Sequence, residues 1–264
     1  MYNDPEQRET EIKNISSVYK TLADEILPQL RRARLTANYD VIGRSDEEIN
    51  EAFDTDAKVL SANELLYAAT LTNDKARQEA IYKKTTELYP NDFRAYNNLG
   101  MMAYANGDFT TAENYFKQAA SKDANAPEVN TNLGYIELVK GNVANAETYL
   151  SKSTGANTAN EALGNLYIKQ GQYDRAVQAF GDTKTNSAAL AQILAKDYNK
   201  AKNTLNAVKN PDAYTDYLMA IVGARTNNAD LVKTSMAKVA QKDATLAAKA
   251  QIDREFAKYA NEIK

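Results

Sequence analysis

Self-similarity at a near-constant period constrains this chain more than any other feature. Leu99-Gly100 returns as Leu133-Gly134 34 residues later, and as Leu163-Gly164 after a further 30. Gly107, Gly141 and Gly171 keep the same two offsets, and so do Ala112, Ala146 and Ala176. Four places after each alanine stands a large apolar residue, Phe116, Leu150 or Phe180. Such a chain is restricted to stacked copies of one small unit, because each copy alone cannot bury its apolar face.

Each copy reads as two antiparallel helices. Tyr96, Leu99 and Tyr104 supply bulk on the first, and Gly100 lets a partner helix come close. Asn106-Gly107-Asp108 makes the turn, with glycine suited to a left-handed helix end and aspartate to the next helix start. Ala112, Phe116 and Ala119 then share one face of the second helix. With only 10 glycines and 5 prolines in 264 residues, the composition favours helix throughout.

The order Tyr96-x-x-Leu99-Gly100, Gly107, Ala112-x-x-x-Phe116 resembles the tetratricopeptide repeat. Tyr96 stands where that family has tryptophan, Ala103 and Glu137 stand where it has a second tyrosine, and the closing proline is missing after the second and third copies. Weaker copies flank the clear ones: Leu65, Leu66 and Ala69 with Ala80, Ile81, Tyr82 and Leu88 upstream, and Lys196-Asp197-Tyr198-x-x-Ala201-x-x-x-Leu205 downstream. The downstream copy comes only 25 residues after Gly171-Gln172-Tyr173, so its first helix must be short. Tyr214, Tyr217, Leu218 and Ile221 open a further pair, completed by Leu231, Met236 and Val239. Ile252, Phe256, Tyr259 and Ile263 predict one terminal capping helix. The resemblance implies an all-α fold, a right-handed superhelix of five to six repeats over residues 57–264.

Residues 1–56 do not follow the repeat. Asp4-Pro5 starts a helix whose stripe is Ile12, Ile15, Tyr19, Leu22 and Ile26, ending near Pro28. Residues 35–41 alternate polar with apolar side chains, which predicts a short strand. Since a lone strand cannot satisfy its backbone, this segment reads as the tail of an upstream domain. Ser45 with Glu48, and Ser61 with Glu64, spell two capping boxes. Residues 30–48, followed by repeats, resemble bacterial cell-envelope proteins that join an outer-membrane-protein-A-like region to tetratricopeptide repeats. The resemblance implies a periplasmic or outer-membrane-associated setting.

Having neither histidine nor cysteine, the chain lacks imidazole bases, thiol nucleophiles and the usual zinc ligands, so we expect no enzyme, no metal site and no cofactor. The 32 basic and 35 acidic residues are spread along the chain with a net charge of −3, which offers no basic face to nucleic acid. Arg31, Arg32 and Arg34 form the only dense basic cluster and read as a solvated surface or as partners of upstream carboxylates, with anion binding as the alternative. No apolar run approaches the roughly 20 residues of a membrane span.

Repeat solenoids bind on the concave surface lined by first helices. Aligning the copies places Arg94, Asn97, Asn98, Met101 and Tyr104 there from one repeat, Glu128, Thr131, Asn132, Tyr135 and Leu138 from the next, and Glu161, Asn165 and Ile168 from the third. Asn98 and Asn132 are equivalent, a spacing that resembles the asparagine ladder of the transferase that attaches N-acetylglucosamine to proteins; Ala162 interrupts it. The lysines and asparagines of the carboxylate clamp of heat-shock chaperone partners are missing, with Met101, Tyr135 and Glu128 in or near those places. The expected role is a scaffold gripping an extended segment of another protein, in a cell-envelope assembly. The alternative is a structural spacer packing through its convex face or ends.

Overall fold

Five backbone positions with positive φ, Gly107, Gly141, Gly171, Lys196 and Asn227, punctuate the helix pairs in a computed structural model of the protein. The structure describes residues 4–14, 20–26, 43–261 and 263, in two compact units that meet between Arg44 and Ser45. The first unit holds α1 (Pro5–Asn14), whose first turn is capped by Asp4 accepting from the Glu6 amide at 3.0 Å, and a π-helical turn over Leu22–Ile26. The predicted strand over 35–41, the stripe residues Ile15 and Tyr19, and the cluster Arg31, Arg32 and Arg34 lie outside the described residues. Among the described residues there is no strand.

The second unit begins with α2 (Asp46–Asp56), followed by six helix pairs among the described residues. These are α3 (Ala62–Ala68) with α4 (Lys75–Leu88), α5 (Phe93–Ala105) with α6 (Phe109–Lys122), and α7 (Pro127–Lys140) with α8 (Val143–Leu150). Next come α9 (Ala159–Lys169) with α10 (Tyr173–Phe180), α11 (Asn186–Leu194) with α12 (Tyr198–Asn206), and α13 (Ala213–Arg225) with α14 (Ala229–Lys242). Both predicted capping boxes form, at Ser45 and at Ser61. Although the sequence pattern put α2 with the N-terminal segment, Ile49 is buried among Leu60, Leu65 and Ile81, so this helix packs with the first pair.

Each of the five turns closes in the same way. The turn residue donates to the carbonyl three places back (Gly107 to Tyr104, 3.0 Å), and the following amide reaches five places back (Asp108 to Ala103, 3.0 Å). This is the Schellman pairing, which satisfies carbonyls that a helix end leaves free. The second bond recurs at 2.8 Å for Asn142, Gln172, Asp197 and Asn228. Lys196 and Asn227 therefore do the work of glycine in the last two pairs, at φ 65° and 55°.

Counting from these turns aligns the core. Seven places before each stands a small residue, Gly100, Gly134, Gly164, Ala189 or Ala220. Nine places after stands a buried large one, Phe116, Leu150, Phe180, Leu205 or Met236. A Cβ added at Gly100 would lie 2.5 Å from the Phe116 ring, and at Gly134 2.5 Å from Leu150. The missing side chain is what allows the two helices of a pair to touch. Glu137, in the place of the family's second tyrosine, is buried but accepts from Asn142 Nδ2 at 3.0 Å and Asn145 Nδ2 at 3.2 Å.

As expected, α11 is short, at 9 residues. The single terminal capping helix is replaced by α15 (Ala244–Ala250) and a 3₁₀ turn over Arg254–Tyr259. Asp253 caps the second piece by accepting from the Glu255 amide, which breaks the register. Ile252 consequently falls in the link and is 86% exposed, whereas Phe256 and Tyr259 close the core over α13 and α14.

Candidate functional site

Successive first helices pack on one another from α5 through α7, α9 and α11 to α13, whereas successive second helices scarcely touch. A stack closer-packed on one side curves toward that side, so the first helices line the concave face. The turns supply the register: six places before them lie Met101, Tyr135, Asn165 and Leu190, and three places before them Tyr104, Leu138, Ile168 and Ile193. These residues form two adjoining rows across four repeats.

Tyr104 and Tyr135 are the centre of the face. Their ring centroids are 6.4 Å apart at 53°, and Tyr104 also meets Phe109 edge-on at 5.3 Å. Both tyrosines line two cavities. The smaller, about 120 Å³, is completed by Met101, Phe116, Asn132 and Thr158. The larger, about 560 Å³, runs past Leu138, Val139, Glu161 and Asn165 to Ile168, Lys169, Ser187 and Leu190. Met101 and Val139, which border these cavities, are 44% and 48% exposed.

Burial pushes the Tyr135 phenol well above its ordinary range, and the negative charge of Glu161 adds to the effect against a hydrogen bond with Asn165. Tyr135 is therefore a neutral hydroxyl at any physiological pH, able to donate and accept. Among the described residues neither Glu128 nor Glu161 has an ion-pair partner. Arg94 is already tied: its guanidinium binds Asp92 at 2.5 Å and Asn63 at 2.9 Å, linking α5 to the start of α3.

The structure brings Met101, Tyr104, Asn132, Tyr135, Glu161, Asn165 and Ile168 together on the cavities. Other expected residues are engaged within the fold. Thr131 is fully buried and its hydroxyl donates to the Pro127 carbonyl at 2.8 Å, so it belongs to the core and not to the groove. Asn132 Nδ2 donates to Asn97 Oδ1 at 2.8 Å, bridging α7 to α5, while Asn98 lies beside Tyr82 and offsets part of the upward push that burial gives its phenol. The Asn132 amide thus ties neighbouring first helices together instead of standing beside Asn98 as an open ladder. Residues the alignment missed are Thr158, Val139, Lys169, Ser187 and Leu190. Leu190 and Ser187 emerge only when Lys196 is recognised as the counterpart of the turn glycines.

Models of the tetratricopeptide repeat match residues 81–114, 98–161 and 161–184. No curated protein matches the chain in sequence. Among solved structures, the APC/C hetero-tetramer Cut9-Hcn1 contains a chain similar at a TM-score of 0.65 and 15% identity, over 81% of this chain and 44% of that one. This chain thus spans less than half the length of that neighbour. A tetratricopeptide repeat protein from Parabacteroides merdae ATCC 43184 matches at TM-score 0.55 and 12% identity, covering 83% of this chain and 90% of its own. PilW, a type IV pilus biogenesis factor, matches at 0.52 and 18%, covering 75% and 97%. Among the described residues no helix is long and apolar enough to cross a membrane.

Proposed function

We propose that this tetratricopeptide-repeat protein is a non-catalytic scaffold that grips an extended segment of another protein along the concave face of its first helices. The observation that carries this reading is the continuous surface from Met101 through Tyr104 and Tyr135 to Leu190, with two cavities on it and apolar side chains left half in water. Met101 and Val139 keep apolar surface in water beside these cavities, and a bound segment would cover it. The polar groups beside them, the hydroxyls of Tyr104, Tyr135 and Thr158, suit a peptide backbone and keep the empty face wet. Tetratricopeptide repeats in general mediate contacts between proteins, which agrees with the reading. The cell-envelope setting rests on the resemblance of residues 30–48 to envelope proteins, and fractionation of cells expressing the full gene tests it.

A photo-crosslinking amino acid placed at Val139 is the direct test, with a second at Lys117 on α6 as the control for the opposite side of a pair. The reading expects partner adducts from position 139 and few from 117, and loss of the 139 adducts in a Leu190→Arg variant that remains helical. Adducts confined to position 117, or to a probe at Ile252 near the chain end, would instead establish a spacer that packs by its convex face or ends.

A further inference from the structure

We infer that the segment this groove takes carries one bulky aliphatic side chain seated between Tyr104 and Tyr135, with a lysine or arginine two positions away facing Glu161. The inference rests on the groove reading above and narrows it to a partner chemistry. The smaller cavity is apolar on nearly all sides, with Met101 and Phe116 joining the two tyrosines. An apolar cavity of about 150 Å³ accepts a benzene ring, so about 120 Å³ suits the end of a leucine, isoleucine or methionine better than a larger aromatic. Besides the two tyrosine hydroxyls, Asn132 and Thr158 are the polar residues on its wall. The Asn132 amide is spent on Asn97, and Thr158, although it is the N-cap of α9, makes no side-chain bond to that helix.

The charge beside the pocket decides the second half. Glu161 lines the larger cavity, acts on Tyr135 through its charge, and has no ion-pair partner among the described residues. Lys169, the cation lining the same cavity, lies two turns further along α9, about 12 Å at ~1.5 Å per residue. It leaves the Glu161 end acidic. Glu128, at the start of α7, also has no ion-pair partner among the described residues. A cation in the partner is the complement this end lacks. Thr158, the N-cap of α9, precedes Glu161 by three residues, a little under one helical turn or ~5 Å. In an extended segment, side chains two positions apart point the same way at roughly 6.6 Å. The pocket and the carboxylate therefore match an aliphatic and a basic residue with one residue between them.

A random peptide library displayed on phage, selected against the whole chain, tests this. Enriched peptides should share the aliphatic and basic pair at that spacing. For one synthesised peptide, changing its aliphatic residue to alanine should weaken binding about ten- to a hundredfold. Thr158→Met, which fills the pocket from an exposed position, should do the same, and Met101→Trp narrows it from the other wall should the first variant fold poorly. Glu161→Gln should cost about two- to fivefold, with the difference fading as salt rises. Peptides that lack the pair and tolerate Thr158→Met, yet lose binding to Val139→Arg, would overturn this inference and leave the groove reading standing. If no enriched peptide depends on Val139 or Thr158, both are overturned.

Discussion

Replacing Gly100 with alanine sets two effects of known size against each other. Alanine in a helix interior is favoured over glycine by about 0.8–1.0 kcal/mol. The new Cβ, however, would sit 2.5 and 2.6 Å from two carbons of the Phe116 ring, and the ring is fully buried. Carbon atoms rest at ~3.5–4.0 Å, so either ring or helix must move by about 1 Å in a filled core. Overpacking of this kind costs roughly 1–3 kcal/mol, and Gly100→Ala should therefore be destabilising by about 1 kcal/mol on balance. The protein contains its own control. In α11 and α13 the equivalent position is already alanine, Ala189 or Ala220, and the facing residue is Leu205 or Met236. Gly100→Ala with Phe116→Met copies the α13 and α14 pair, and the double variant should recover most of the loss, a favourable coupling of about 1 kcal/mol. Urea unfolding followed by far-ultraviolet circular dichroism measures the cycle, with amide exchange in α5 and α6 to catch unfolding of one part of the array. If Gly100→Ala raises the urea midpoint and the two changes simply add, the close crossing does not control stability and the alignment of small and large positions has no energetic content.

Lys196→Gly should raise stability by about 0.5–1 kcal/mol in thermal unfolding, because a side chain at φ 65° costs roughly 1–2 kcal/mol and the extra freedom of unfolded glycine offsets only part of that. Asn132→Ala strips the donor from Asn97 across two half-buried helices and should cost about 1–2 kcal/mol in urea unfolding. Hydrogen bonds from Lys117 and then Lys140 hold the Glu113 carboxyl below its usual range. A depressed folded pKa means that the stabilisation is present at neutral pH and lost as pH falls through that pKa. Glu113→Gln should thus cost up to about 1 kcal/mol at pH 7, and the difference from wild type should vanish by about pH 2.

The repeat was legible because its signal lies in positions that tolerate few residue types. Gly100, Gly134 and Gly164 face Phe116, Leu150 and Phe180 so closely that a methyl would collide, and a contact that strict leaves a mark in the sequence. The later turns were harder to read, since a left-handed helix end accepts lysine at 196 and asparagine at 227 with only modest strain. Where the sequence reading joined Ile252 to Phe256 in one terminal helix, the side chain of Asp253 ended the first piece and began the second. Apolar spacing alone carries no information about such a local capping choice. The same blindness placed α2 outside the solenoid, because its attachment depends on Ile49 meeting Leu60, Leu65 and Ile81 in space.

Of the candidate site the sequence made a set of first-helix positions legible but not their burial, for a reason rooted in helix geometry. All the expected residues lie on first helices, but a first helix has one flank against its own partner and another against the next first helix. Polar residues near its start face those flanks: Asn97 meets Asn132, Asn98 meets Tyr82, Thr131 turns back to its own helix, and Arg94 reaches Asp92 and Asn63. Asparagine at a fixed place in successive repeats is then explained by the need to satisfy buried polar groups between helices. The open surface lies toward the helix ends, where Met101, Tyr104, Tyr135, Val139, Ile168 and Leu190 are apolar yet only partly covered. Burial is the quantity that separates these two sets, and it depends on the curvature of the whole stack. A repeat alignment therefore picks out a face of the helix, while only the packed superhelix separates the covered end of that face from the exposed one.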